Sequence, residues 1–133
     1  MTMPVTKASA VLCLAVFPLA GCATLWGQSV GGAQTLKLGQ TGHYGPVDLT
    51  PIAVDEDSRC PVGTQCIWAG QVRVKVLVEP AGANQAVFAT LGRPMGVDGG
   101  TLLVEQVTPV RTSTRQTPPS HYRFTIRYTA PAR

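Results

Sequence analysis

Charge is scarce in this chain. Only 14% of its 133 residues are Asp, Glu, Lys or Arg, and the net charge is +4. A disordered chain needs more charge against less apolar content, and 44% apolar residues are enough for a packed core. The same scarcity excludes the dense basic footprint of a nucleic-acid binder. Histidine falls to two residues and cysteine to four. His43 and His121 are too few ligands for a metal site without carboxylate help, so no metal site is expected. No G-x-S-x-G, H-E-x-x-H or glycine-rich phosphate loop occurs. Nor do paired carboxylates suggest glycoside hydrolysis. Neither a catalytic set nor a cofactor is therefore expected, and the chain reads as a non-enzyme.

Long apolar runs are also missing. The one candidate, residues 8–20, holds Val11, Leu12, Leu14, Val16, Phe17 and Leu19 after the lone charge Lys7. It is too short to span a bilayer permanently and has the length of a secretory signal. It ends in Leu19-Ala20-Gly21-Cys22, small residues before a cysteine, which resembles the lipobox of bacterial lipoproteins. That resemblance implies lipidation of Cys22 and removal of residues 1–21. One acyl chain holds a protein only marginally, whereas the several of a lipoprotein anchor it stably. Ala23 in place of aspartate implies, by the sorting rule of enteric lipoproteins, an outer-membrane address facing the periplasm. Without Lys7 the balance is ten basic against seven acidic residues, a mild positive charge that tolerates anionic envelope neighbours.

What remains is sized for one domain. Residues 22–34 are small, polar and glycine-containing after the lipidated cysteine and read as a tether, with Leu25 and Trp26 suited to headgroup contact. Residues 35–133 are rich in glycine, proline and β-branched side chains, and no helical periodicity survives there. A short strand is expected over 35–39, then a turn over 42–46. A strand over 47–54 changes parity around Pro51, which calls for a bulge or an edge. The clearest strand is 71–79, where Val72, Val74, Val76 and Val78 alternate with Arg73, Lys75, Leu77 and Glu79. Strands over 85–91, 101–107 and 121–129 follow. The last turns Tyr122, Phe124, Ile126 and Tyr128 inward. Asp98-Gly99 suits a hairpin turn within an otherwise irregular 92–100, and 111–120 reads as an exposed polar loop. The expected fold is all-β: a small antiparallel β-sandwich, or a partly open barrel, of six or seven strands with one disulfide-closed loop. Outward Arg73, Lys75, Arg123 and Arg127 would form a basic stripe if their strands were neighbours.

The stretch 55–70, D-E-D-S-R-C-P-V-G-T-Q-C-I-W-A-G, concentrates the remaining signal. Cys60 and Cys66 are the two mature cysteines left after Cys22, and export makes a disulfide their default state. The spacing of five residues between them disfavours zinc or redox chemistry. Closing so small a loop stabilises by roughly 2–2.5 kcal/mol in the chain-entropy account. Trp68 lies two positions past Cys66 and so shares its face in extended chain, where it is expected to cover the disulfide and part of the core, in preference to the other reading, a solvent-facing aromatic anchor. Asp55, Glu56 and Asp57 read as a solvated loop rather than a calcium site, with Arg59 pairing to Asp57. The candidate binding loop comprises Asp55, Glu56, Asp57, Arg59, Gln65 and Trp68.

Asp57, Ser58, Arg59, Cys60, Pro61, Cys66, Trp68, Ala69 and Gly70, followed by alternating valines, resemble the signature of a family of small uncharacterised bacterial lipoproteins and secreted proteins. The likeness is loose beyond this segment. It implies a small β-sandwich and carries no mechanism. Two functions are then compatible with the chain. One is an envelope lipoprotein, non-enzymatic, that binds an envelope protein or anionic polymer or serves structure, with the membrane as partner through its lipid. The other is an inhibitor of a secreted hydrolase, a lysozyme or protease, acting through the Cys60–Cys66 loop. Lysozyme-inhibitor lipoproteins are likewise small, β-rich and disulfide-bonded, and plug active sites with loops.

Overall fold

Residues 32–132 are described by a computed structural model. The expected signal segment, Cys22 and nearly all of the expected tether lie outside them. Eight strands follow one another: β1 (Gln34–Leu36), β2 (Gly42–His43), β3 (Val47–Asp57), β4 (Val72–Pro80), β5 (Gln85–Thr90), β6 (Met95–Val97), β7 (Gly100–Thr108) and β8 (Arg123–Thr129). A 3-10 turn, Pro119–His121, precedes β8. The strands form two antiparallel four-stranded sheets, ordered β1-β8-β7-β6 and β2-β3-β4-β5. The expected β-sandwich is what forms.

Alternation makes the core. Val72, Val74, Val76 and Val78 of β4 are fully buried, as are Phe124, Ile126 and Tyr128 of β8. With Leu49, Leu102 and Val104 they make one cluster drawn from both sheets. Burial of each such side chain stabilises by about 1.5–3 kcal/mol relative to exposure.

Two short segments join sheets where turns or loops were expected. Gly42–His43 pairs with Leu49 and Asp48 because Gly42 is buried, and a Cβ there would stand 2.9 Å from Leu36 and Tyr44 carbons. Met95–Val97 pairs with β7 across the Asp98-Gly99 turn, where both residues have positive φ. That hairpin turn is as expected. Tyr44, also in the expected turn, is buried and donates its hydroxyl to the Ile126 carbonyl at 2.9 Å, tying the sheets together. Burial pushes its pKa well up, against a smaller opposing effect from the Gln34 backbone.

β3 runs further than its apolar residues suggest. It keeps pairing with β4 through Asp57, opposite Val72, by absorbing irregularities between Pro51 and Ala53 and between Val54 and Glu56. The acidic run 55–57 is thus the end of a strand and not a loop. The basic stripe does not form either. Arg73 and Lys75 belong to one sheet and Arg123 and Arg127 to the other, so their outward faces are opposite faces of the sandwich.

Candidate functional site

β3 and β7 end, and β4 and β8 begin, at the same end of the sandwich. There Asp57 lies opposite Val72, and Thr108 opposite Arg123. The two long connections, 58–71 and 109–122, cross this end side by side. Most of the residues singled out from the sequence lie on them or at their roots.

Asp57 is the hub. Its Oδ1 accepts from Arg59 Nε at 2.9 Å, and its Oδ2 accepts from Arg59 Nη2 at 2.8 Å and from the Tyr122 hydroxyl at 2.7 Å. Arg59 Nη1 donates to the Val107 carbonyl at 2.9 Å, so one guanidinium joins β3 to β7. The ion pair is mostly withdrawn from solvent, with side-chain exposures of 15% for Arg59 and 10% for Asp57. Burial alone would raise the Asp57 pKa. The hydrogen bonds and charge of Arg59, with the bond from Tyr122, outweigh it and hold the carboxyl below its usual range. The bond to Asp57 raises Arg59 in turn, and burial followed by the bond to Asp57 raises Tyr122.

Arg111 extends the clamp. Its Nη1 donates to the carbonyls of Asp57 and Arg59, Nη2 to Thr114 and Nε to Ser113. A single side chain therefore shapes the 111–114 turn and fastens it to the other connection. Nothing local in R-T-S-T distinguishes this arginine from a solvated one; its partners are over fifty residues away in sequence.

The other two acids are occupied as well. Asp55 accepts from Arg73 Nε at 2.6 Å. Glu56 accepts from Ser58 Oγ and Gln71 Nε2, both at 2.9 Å, which lowers its pKa, the Gln71 bond contributing most. The three carboxylates point to three separate partners and share no centre. No group of three or more His, Cys, Asp or Glu suited to a metal occurs among the described residues. His43 bonds Asp48 at 2.7 Å at the opposite end of the sandwich from His121, so the two histidines do not meet.

Ser58 stitches the base of the disulfide segment. Its amide donates to the Gln71 carbonyl at 2.9 Å, and its Oγ accepts the Gln71 amide at 3.0 Å. Gly70 sits against this crossing. A Cβ on it would overlap the carbonyl carbon and oxygen of Ser58 and the amide nitrogen of Arg59. Only glycine lets the two backbones approach so closely.

Above that base Cys60 and Cys66 are disulfide-bonded, with Cα atoms 5.9 Å apart. The Val62 amide donates to the Arg111 carbonyl at 2.9 Å, pinning the loop to its neighbour. Gly63 takes positive φ at the turn. Gln65 is exposed. The expectation for Trp68 fails. It covers neither disulfide nor core and is 81% exposed, beside Ile67 at 91%. The cause is local: Gly70 must return the chain to β4 against Ser58, which leaves 67–69 projecting beyond the sheets. Val62 at 66% and Val110 at 61% are bare at the same end.

Next to the clamp β2 covers only Asp48 and Leu49 of β3, and a cleft of about 520 Å³ opens along its continuation. Ile52 and Val54 supply apolar surface, and Tyr122, Gln116 and Thr117 close the far side. Its carboxylates are those already engaged above.

The residues of 57–70 thus divide by use. Asp57, Ser58, Arg59, Cys60, Cys66 and Gly70 build a frame. Ile67, Trp68 and Val62 are held up by it, and no packing explains their apolar character. No family model, curated protein or solved structure matches this chain.

Proposed function

We propose that this chain is a bacterial envelope lipoprotein, anchored through lipid on Cys22, whose sandwich is a non-enzymatic binding module that engages its target with the disulfide end. The observation that carries the reading is the exposure of Ile67 and Trp68 at 91% and 81% on a loop fixed by a disulfide. A rigid loop presents apolar surface without an ordering cost on binding, and an exposed tryptophan is the side chain most enriched at binding hot spots. The resemblance of residues 19–22 to a lipobox supports the anchor. Cys22→Ser is expected to leave the protein unlipidated, read by incorporation of labelled fatty acid. Label retained by the variant contradicts the anchor.

The same exposed tip favours a second reading, inhibition of a secreted lysozyme or protease, since a disulfide-closed loop with an exposed tryptophan just beyond it suits entry into an active-site cleft. Titration of a panel of such enzymes with the purified protein decides between inhibition and binding of another kind.

A further inference from the structure

We infer that the tip formed by Val62, Ile67, Trp68 and Val110 docks on the interface of an anionic bilayer, the one in which the lipid of Cys22 is embedded; this rests on the lipoprotein reading above. Of the six large hydrophobic side chains exposed among the described residues, these four lie at one end of the sandwich, while Ile52 and Phe88 belong to strands. The hydrogen bond between the Val62 amide and the Arg111 carbonyl holds the two contributing connections together. One apex therefore combines tryptophan with branched aliphatic residues, the composition that settles at the headgroup level of a membrane.

The charges around the apex agree with an anionic surface. Its acids, Asp55, Glu56 and Asp57, are engaged by Arg73, by Ser58 with Gln71, and by Arg59 with Tyr122. Arg111 and Arg115 lie in the connection carrying Val110, and Arg123 opens β8. Arg93 follows β5 where Thr90 lies opposite Arg73, at this same end. Cations thus outnumber acids around the exposed apolar residues, the arrangement that anionic headgroups attract.

β1 runs toward this end, so the link to Cys22 leaves on its far side, but its length lets the bilayer reach the tip. Cys22 precedes Gln34 by twelve residues, so that link spans at most about 40 Å. Gln34 lies opposite Ile126, three residues along β8 from Arg123, a distance of about 10 Å. The tip can therefore face the membrane that holds the anchor, and the link keeps that membrane at high effective concentration. No soluble partner is delivered in this way, which favours the bilayer as occupant.

The test uses the lipidated full chain carrying Trp26→Phe, which leaves Trp68 as its sole tryptophan. The protein is reconstituted in vesicles of phosphatidylethanolamine and phosphatidylglycerol with or without bromine on the acyl chains. Trp68 emission is expected to be blue-shifted and to drop about twofold with brominated lipid, and to drop less when phosphatidylcholine replaces the anionic lipid. Solvent-like emission, unquenched by bromine, from a protein shown by mass spectrometry to carry lipid on Cys22 overturns the docking alone. Shielding of Trp68 in native envelope membranes but not in vesicles also overturns it and points to a protein at this surface. A Cys22 without lipid overturns both the docking and the lipoprotein reading.

Discussion

Replacing Gly70 with alanine is expected to destabilise the domain by about 3 kcal/mol or more, the largest effect of any single methyl group added to the disulfide segment. The added carbon has no free space, because the Ser58 carbonyl and the Arg59 amide already occupy its position. Neither neighbour is the flexible end of a side chain. Relief requires moving backbone that carries the two bonds between Ser58 and Gln71 and the Arg111 bond to the Arg59 carbonyl. Native domains are stable by only about 5–15 kcal/mol, so a loss of this size is readily measured. Denaturant unfolding followed by circular dichroism gives the value. Gly82→Ala is the control, since nothing lies within 4 Å of a Cβ there.

Asp57→Ala is expected to cost about 2–4 kcal/mol, because it strands two partners rather than removing one contact. The Arg59 side chain loses its two bonds to the carboxylate, keeping that to the Val107 carbonyl, and Tyr122 loses its acceptor. A pH signature separates this clamp from simple packing. Burial favours the neutral acid, but Arg59 and Tyr122 prevail and the folded carboxyl titrates below its unfolded range. The folded state therefore binds this proton less readily than the unfolded one. The stabilisation is fully present above the unfolded value of about 3.9 and is lost as the pH falls through the lower, folded value. Melting temperatures taken between about pH 7 and pH 3 should show the wild-type advantage over Asp57→Ala shrinking toward the acid end. A gap that stays constant down the series contradicts the clamp.

Periodicity made the sandwich legible. The valines of β4 and the aromatic alternation of β8 identify two buried faces, and both sets are buried as their spacing implies. Pro51 likewise announced the irregularity in β3. β2 and β6 gave no such signal, since two or three residues are too short for alternation and their pairing depends on Leu49 and Leu102 across the ladder. At the disulfide end, composition misled in both directions. Adjacent acids read as solvated, yet each is engaged because β3 outlasts its apolar residues and carries them to partners distant in sequence. A tryptophan two residues from a cysteine read as a lid, yet 66–69 lie in the connection 58–71, outside any strand, where alternation does not apply. Arg111 was invisible for a related reason: its role is set by carbonyls of the other connection.

The division of residues 55–70 into a frame and a free tip is tested most directly by one unfolding experiment on Ile67→Ser combined with Trp68→Ser. Both side chains stand in solvent, at 91% and 81% exposure. The double variant should unfold within about 0.5 kcal/mol of wild type, as exposed substitutions do, while Asp57→Ala falls well below both. A loss in the double variant as large as that of Asp57→Ala would contradict the division and return Trp68 to the frame.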